Sequence, residues 1–290
     1  MAVKKAVLVI LVFALALSIA AMAGAADPKS MLPDQVKSAG VLRVGSQQTY
    51  PPIEFRDSST NAMKGVSVEL LVEVASRLGL KLEWVQSDYG ALITGAKAGR
   101  FDLASGGISD QLEREKDMDF VNYLITGTGI LCKKDNAENF KTLADFSGKK
   151  VAFTLGAKKI EAAVDEASDE LVKAGKKPIE KITLPNPSDA KMQLDLGRVD
   201  GYLNETVTLA YLMTQQPDTY RMVQDGNYIL APLVTSWGFV KNNDKLRDAV
   251  QAVLQGMVDD GAYGKILKAW DVDGGALGEI TINKPWDLRK

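Results

Sequence analysis

The segment GRFDLASGGISDQLER, residues 99–114, combines an apolar run, two glycines, a hydroxyl group and a guanidinium. The Asp-Leu-Ala-Ser run predicts a short buried strand that ends where Gly106 and Gly107 let the backbone turn. Strand ends that open onto helix N-termini are where open α/β sheets hold small ligands. Arg114 follows one helical turn later, and a guanidinium beside helix amides is the arrangement that a planar carboxylate needs. We therefore expect Arg114 to lean back over a small-ligand site.

The start of the helix after this strand is predicted from its capping residues. Ser109 or Asp110 can accept a hydrogen bond from the first helical turn, and Glu113 is placed to bond back. The alternative for Arg114 is an ordinary surface charge between two glutamates, which would contribute little. Taken alone, these residues leave both roles open.

The composition excludes several kinds of catalytic site. The 290-residue chain has 37 acidic and 35 basic side chains and no histidine, which rules out Ser-His and Cys-His nucleophiles and histidine-ligated zinc. A formal net charge of −2 without a basic stripe argues against a nucleic-acid partner. Cys132 is the only cysteine, so no internal disulfide can form, and its apolar surroundings predict a buried, unreactive thiol. We expect no metal, no cofactor and no enzymatic activity.

Residues 1–26 are predicted to be a cleaved signal peptide rather than part of the fold. Lys4 and Lys5 precede the uncharged run AVLVILVFALALSIA, and small residues then offer cleavage after Ala23 or Ala26. A retained N-terminal anchor is the second interpretation, because the apolar run is short for a membrane span. Cleavage removes two lysines, lowers the net charge from −2 to −4, and leaves the mature chain in the periplasm.

Hydrophobic periodicity predicts an α/β fold. Strand and helix patterns alternate as βαβαβ over residues 41–105, and a second cycle begins near residue 149. In the first helix, Ser67 is predicted as the N-cap and Gly79 as the C-cap. This order implies two units, each with a parallel sheet.

The two units are predicted to be lobes that the chain crosses between twice. Lobe 1 is assigned to residues 27–130 and 235–290, and lobe 2 to residues 131–234. The connecting segment YLITGTGILCKKDN is apolar and strand-like, unlike a flexible linker. Pairs of lobes that share such a hinge close around ligands.

Six motifs in a fixed order resemble a known family. They are RVGSQQTYPPIEF, KGVSVELLVEVASRLGLKLEWV, YGALITGAKAGRFDLASGGIS with the later ER and MDF, GKKVAFTLG, LGRVDGYLNET and GAYGKILKAW. From about Val41 to Trp270 the chain resembles bacterial extracellular solute-binding protein family 3, the periplasmic polar amino-acid-binding proteins of ABC importers. The resemblance implies the type II periplasmic binding protein fold, with two lobes that are each a mostly parallel sheet flanked by helices and that are joined by a two-strand hinge.

The resemblance also implies roles for residues of the first lobe. In the family, an arginine one turn past the third strand holds the ligand α-carboxylate, and a hydroxyl and backbone amides at the strand end assist it. The matching positions are Arg114, Ser109 and Gly107. Tyr50 and Tyr89 match aromatic positions that flank the ligand side chain. A ring packed in the lobe core is the alternative for each tyrosine.

Several other positions depart from the family pattern, among them Ser67, which stands where the family commonly has aspartate. Glu205 stands where an aspartate pairs with the ligand ammonium, although an acid at a helix start is also favourable by itself. Lys158 and Lys159 replace small hydroxyl residues. Either one of them, with Lys158 as the candidate, faces the cleft and pairs with a second acidic group, or both are solvated. Gln47 stands where some relatives carry an acid that reads a basic side chain, which weakens the case for a cationic ligand.

These features together predict a binding protein. It is expected to capture a small amino acid or related carboxylate and to deliver it, as a monomer and by lobe closure, to an ABC permease in the inner membrane. The alternative is a periplasmic cyclohexadienyl (arogenate/prephenate) dehydratase on the same fold, with Glu205 as a buried general acid. A soluble partner of a membrane sensor is a third interpretation.

Overall fold

The computed structural model describes residues 27–155, 157–185 and 187–288. The predicted signal peptide, residues 1–26, lies outside this part of the chain. Within the described ranges, no helix combines the length and the apolar composition needed to cross a membrane.

The described residues form twelve β-strands, of which nine join one continuous sheet and three form a small antiparallel sheet, β2-β3-β4. The strands are β1 (Val41–Ser46), β2 (Thr49–Tyr50), β3 (Glu54–Arg56), β4 (Met63–Lys64), β5 (Lys81–Gln86), β6 (Leu103–Ser109), β7 (Met118–Lys133), β8 (Lys150–Thr154), β9 (Glu180–Leu184), β10 (Gly201–Glu205), β11 (Tyr220–Met222) and β12 (Leu230–Val240).

Nine α-helices flank the sheets in the described part of the chain. They are α1 (Pro28–Met31), α2 (Asp34–Ala39), α3 (Val66–Leu78), α4 (Leu92–Lys97), α5 (Lys158–Lys173), α6 (Pro187–Asp195), α7 (Thr206–Gln215), α8 (Asp244–Asp259) and α9 (Ala262–Ala269). Short 3-10 helices include Tyr89–Ala91 and Arg114–Lys116, which both lie close to the site described below.

The large sheet contains two parallel units, one at each end. Its order is β5-β1-β6-β12-β7-β10-β8-β9, with β11 paired to β7. Strand β1 lies parallel to β5 and β6, and β8 lies parallel to β9 and β10. The alternation of strands and helices in the sequence predicted these two parallel units, and the structure confirms them.

Strands β7 and β12 join the two units at the centre of the sheet. Residues Met118–Thr126 of β7 pair with Leu233–Val240 of β12, whereas from Thr128 onward β7 pairs with β10. The two long strands therefore form the two-strand hinge. The lobe boundaries that we place at 130/131 and 234/235 fall inside these strands and stay a prediction.

Apolar faces of the helices pack on the sheet. In α3, residues Val66, Leu70, Leu71, Val74 and Leu78 are buried at helical spacing. Gly79 ends the helix in the left-handed region at φ 71°, which confirms it as the C-cap.

Cys132 lies in β7 and is completely buried. Burial raises the pKa of its thiol to about 12, because the thiolate loses its hydration in an apolar surrounding. The prediction of a buried cysteine is therefore confirmed.

The predicted N-cap of α3 is wrong. Gly65, not Ser67, precedes the helix, and Ser67 lies buried in its first turn. The Ser67 hydroxyl lies 2.9 Å from Ser105 Oγ and accepts a hydrogen bond from Trp237 Nε1 at 2.9 Å. Because the Ser67 hydroxyl forms hydrogen bonds with side chains of other elements, it does not cap the N-terminus of its own helix.

The predicted end of β6 and the helix after it are also wrong. The strand continues through Gly106 and Gly107 to Ser109, because antiparallel pairing with β12 holds it there. No capped helix follows, so neither Ser109 nor Asp110 is an N-cap. The chain instead makes a turn and the single-turn 3-10 helix Arg114–Lys116, which has no side-chain cap.

Candidate ligand-binding site

A cavity of about 720 Å³ lies between the two lobes, where strands of both parallel units end. Small-molecule sites typically enclose about 300–1,000 Å³, and in α/β sheets they lie at the carboxyl ends of the strands. Six of the residues predicted to bind ligand border this cavity: Gln47, Tyr50, Tyr89, Gly107, Ser109 and Glu205. Strand ends that are far apart in the sequence thus contribute to one site.

The Arg114 guanidinium is fixed at the edge of the cavity, although Arg114 is not among the residues that border it. Its Nη1 donates to the Ser109 carbonyl oxygen at 2.9 Å and to Ser109 Oγ at 3.1 Å, and its Nη2 donates to the Tyr89 hydroxyl at 3.3 Å. The expected backward lean of this side chain is therefore present.

The charge of Arg114 is not neutralised by the neighbouring glutamates. The Glu113 carboxylate pairs instead with Lys116 at 2.6 Å, and none of the described carboxylates forms an ion pair with Arg114. Neutral hydrogen-bond acceptors thus orient a half-buried guanidinium whose positive charge remains available to an anion.

Gly107 allows the Tyr50 ring to pack closely against the backbone of β6. Its φ of 75° lies in the left-handed region, and a Cβ built on it would come within 2.6 Å of Tyr50 Cε1. The Tyr50 ring therefore lies directly on the Gly107 backbone, at a position that only glycine can occupy without displacing the ring.

A hydrogen bond joins the two sides of the cavity. The Tyr50 hydroxyl, on β2, donates to Glu205 Oε2 at 2.7 Å, where β10 meets α7. Burial, together with the Glu205 carboxylate, raises the pKa of Tyr50 well above its usual value, so the hydroxyl keeps its proton. Glu205 occupies the N-cap position of α7, yet its side chain caps nothing there. Its carboxylate is exposed and turned into the cavity.

Tyr89 and Gln47 also reach the cavity. The Tyr89 side chain is 41% exposed and its ring centroid lies 6.0 Å from Arg114 Cζ, so packing in the lobe core is the wrong interpretation for Tyr89. The Gln47 side-chain amide donates to the Gly106 carbonyl oxygen at 3.1 Å, which leaves its carbonyl oxygen free of protein partners among the described residues.

The structure describes the side chain of Lys159 but not that of Lys158. The side chain of Lys158 lies outside the described part of the structure, so its predicted role stays a prediction. Lys159 is exposed and borders the cavity beside Ala157 and Ile160 at the start of α5.

The sequence analysis did not identify three threonine residues that border the cavity. Thr126 and Thr128 on β7 and Thr235 on β12 border it, and the Thr126 and Thr235 hydroxyls lie 3.0 Å apart. These residues lie where the hinge strands cross between the lobes. The alternation TGTG at 126–129 inside an otherwise apolar strand is a signal that could have identified them.

A second feature that the sequence analysis missed is the buried carboxyl group of Glu54, which lies beneath the cavity on β3. Its two oxygens accept hydrogen bonds from Ser46 and Ser105, and Ser105 contacts Ser67. Burial raises the pKa of Glu54 to about 7, against the opposing effect of the serine hydroxyls. The charged residue between Ile53 and Phe55 is the only local signal of this group.

The site combines groups that suit a zwitterion. A cationic guanidinium and an anionic carboxylate stand on opposite lobes, with hydroxyls and two tyrosine rings between them. In the described residues, no group of three or more His, Cys, Asp and Glu side chains is arranged to hold a metal ion. Such a site can bind a carboxylate at one side and an ammonium group at the other.

The chain is similar to known binding proteins over most of its length. It is 29% identical over 236 residues to the L-cystine-binding protein TcyA of Bacillus subtilis (strain 168), which covers 81% of this chain and 82% of TcyA. It is 26% identical over 260 residues to the arginine-binding protein ArgT of Corynebacterium glutamicum, which covers 88% of this chain and 82% of ArgT.

Among solved structures, the ancestral cationic amino acid solute binding protein AncCDT-1 matches with a TM-score of 0.66 and 27% sequence identity, covering 82% of this chain and 98% of that chain. The predicted fold, the type II periplasmic binding protein fold, is thereby confirmed. Residues 42–273 match the family of bacterial extracellular solute-binding proteins, family 3, and this chain belongs to that family.

Proposed function

We propose that this protein captures an amino acid outside the cytoplasmic membrane and delivers it to the permease of an ABC importer. Family membership supports this, as do relatives named for binding cystine and arginine. In this proposal residues 1–26 direct export and are removed, and the mature protein works as a periplasmic monomer.

The observation that carries the proposal is the unpaired guanidinium of Arg114 at the edge of the cavity. Ser109 and Tyr89 orient it through neutral oxygens, so the α-carboxylate of a ligand would be its first charged partner. A guanidinium held in advance loses little conformational freedom when a carboxylate binds.

The ammonium group of the ligand would lie at Glu205, on the other lobe. Tyr50 positions this carboxylate by donating to one of its oxygens, and the second oxygen remains for the ligand. Contacts from one ligand to both lobes would then shift the protein toward its closed state, which is the state that docks on the permease.

The dehydratase alternative receives less support from the same residue. A general-acid glutamate needs burial to keep its proton near neutral pH, whereas the Glu205 carboxylate is exposed. Thr208, one helical turn further on, offers no second acid.

The test is calorimetric titration of residues 27–290 with the common amino acids and with prephenate, followed by the same titrations of Arg114→Gln. We expect at least one amino acid to bind, and Arg114→Gln to weaken it by at least about 30-fold, since removing one partner of a desolvated charge pair costs about 2–5 kcal/mol. Arg100→Gln is the matched control, because Arg100 is exposed and does not border the cavity.

Three results would contradict the proposal. They are the absence of binding by every amino acid, unchanged affinity in Arg114→Gln, and conversion of prephenate during incubation with the wild-type protein.

A further inference from the structure

Lys159 places a second positive charge on the cavity. It is the second residue of α5, it is exposed, and it borders both the main cavity and an adjoining cavity of about 470 Å³. In the described part of the protein, no carboxylate or other acceptor binds its ammonium group. Lys173, on the same helix, pairs with Glu170 at 2.7 Å, and Lys181 on β9 pairs with Asp165 at 2.6 Å. Lys159 therefore differs from lysines nearby in lacking an acidic partner.

Three acids border one of these two cavities, and none of them forms an ion pair with Lys159 in the described part of the structure; one of the three, Asp287, is exposed and borders only the adjoining cavity. Glu205 accepts the Tyr50 hydroxyl across the cavity. Asp110 borders the adjoining cavity, but its carboxyl group is buried. Burial and the neighbouring Glu115 carboxyl favour the neutral form of Asp110 by raising its pKa to about 7. Neither Glu205 nor Asp110 neutralises Lys159.

The backbone at the start of α5 adds to the positive potential. Ala157 occupies the N-cap position and has no side chain that could accept a hydrogen bond from the first helical turn. Ala157 and Ile160 both border the cavity, so this uncapped helix end faces it. A free helix N-terminus carries a partial positive charge of about half a unit.

The charged groups around the cavity thus sum to an excess of positive charge. Arg114 at its edge and Lys159 on its border are cationic and have no acidic partner among the described residues, and Glu205 is the one described acid that borders the main cavity. An amino acid that carries a second carboxylate has two negative charges and one positive charge, which complements this set group by group.

On the basis of the proposed function, we infer that the physiological ligand is an amino acid with a second, distal carboxylate, and that Lys159 binds this carboxylate. Arg114 holds the α-carboxylate and Glu205 the ammonium group. Lys159 is then the residue that separates acidic ligands from neutral and cationic ones.

The experiment compares ligands that differ in charge but little in shape. The wild-type protein is titrated calorimetrically with L-glutamate and L-2-aminoadipate, which carry two carboxylates at different spacings and one ammonium group, and with L-glutamine and L-arginine, which carry one carboxylate. The titrations are repeated with Lys159→Gln and Lys159→Arg, and with Lys173→Gln as the matched control on the same helix.

We expect a diacid to bind most tightly, and Lys159→Gln to weaken it by about tenfold, the usual effect of one charge-assisted hydrogen bond. Lys159→Arg restores most of that affinity, because it keeps the charge, and Lys173→Gln has no effect. Circular dichroism and the unfolding temperature of each variant show that it is folded.

Two results overturn this inference alone. One is that glutamine or arginine binds more tightly than every diacid, and the other is that a bound diacid keeps its affinity in Lys159→Gln. The absence of binding by any amino acid instead overturns the proposed function, and this inference with it.

Discussion

At the residue scale, the proposed function assigns the ammonium group of the ligand to Glu205, which would distinguish an amino acid from a plain organic acid. Glu205→Gln keeps the side-chain shape and an oxygen that can accept from Tyr50, but removes the negative charge. We expect affinity for the bound amino acid to fall by about tenfold or more, because its ammonium group loses a charged partner. Affinity for the matching 2-oxo acid, which has no ammonium group, should stay within about threefold or increase.

The control for this prediction is Glu170→Gln, an exposed residue of α5 that pairs with Lys173. It should change neither affinity. Equal losses for the amino acid and its 2-oxo acid in Glu205→Gln would show that Glu205 does not read the ammonium group. Calorimetry with both ligands supplies the measurement.

At the scale of single elements, the end of β6 depends on Gly107. Gly107→Ala places a methyl group against the Tyr50 ring and strains the left-handed backbone, so we expect a folded protein that binds its ligand at least about tenfold more weakly. Gly99→Ala is a matched control, because Gly99 has a similar φ of 70° and no atom within 4 Å of an added Cβ.

The two glycine variants separate backbone strain from the contact with Tyr50. Both should lower the unfolding temperature, since a positive φ disfavours any residue with a Cβ, and Gly107→Ala should lower it further because of its contact with Tyr50. Only Gly107→Ala should lose affinity. A loss of affinity in Gly99→Ala as well would assign the effect to general destabilisation.

Glu54 connects several elements through one buried network. The network runs from Ser46 on β1 through Glu54 on β3 and Ser105 on β6 to Ser67 on α3, which also accepts from Trp237 on β12. A carboxyl at this position must lose a proton inside the core when the pH rises. The stability of the lobe is therefore linked to pH.

The sign of this pH dependence follows from the raised pKa. Glu54 has a pKa of about 7 when folded, against an ordinary value of 4.5, so the folded protein binds more protons than the unfolded chain between these values. The contribution of Glu54 to the free energy of unfolding is largest below pH 4.5 and falls as the pH rises to about 7, by on the order of 3 kcal/mol. Asp110 contributes in the same direction and the same window.

Glu54→Gln should remove the part of this dependence that Glu54 causes. Its neutral amide still accepts from one serine and donates to the other, so the variant should be more stable than the wild type at pH 8 and similar at pH 5. Urea unfolding at several pH values measures the slope, and the residual slope reports Asp110. Identical slopes in variant and wild type would contradict the assignment.

At the scale of the whole molecule, the hydrogen bond between Tyr50 and Glu205 joins the two sides of the cavity directly. Tyr50→Phe removes it while keeping the ring on Gly107. We expect the unliganded variant to populate more open states, with a larger radius of gyration in small-angle X-ray scattering than the unliganded wild type. With saturating ligand, the two radii should agree.

Tyr228→Phe is the matched control for closure. Its hydroxyl accepts from the Leu143 backbone at 3.1 Å within the second lobe, so its removal breaks a hydrogen bond without releasing a contact between lobes. This variant should leave the radius of gyration unchanged. An unliganded Tyr50→Phe with the wild-type radius would show that the hydrogen bond does not bias the lobes.

The sequence by itself determined the features that depend on neighbouring residues. Alternation and helical spacing identified strands such as β1 and β5 and the helix α3, and the order of six motifs identified the family. Most candidate residues of the site, such as Tyr50, Tyr89 and Glu205, were found through the resemblance to that family. The periodic signals lie within about one or two turns of chain, where side-chain periodicity is set by local backbone geometry.

Only the tertiary structure decided which distant residues meet. Strand β6 continues through Gly106 and Gly107 to Ser109 because β12, more than a hundred residues later in the sequence, supplies its hydrogen-bond partners. Tyr50 and Glu205, 155 residues apart, come into contact because the hinge brings the lobes face to face. The burial of Glu54 and the unpaired state of Lys159 depend in the same way on what packs nearby. Long-range pairing and burial are properties of the folded chain, and local patterns do not encode them.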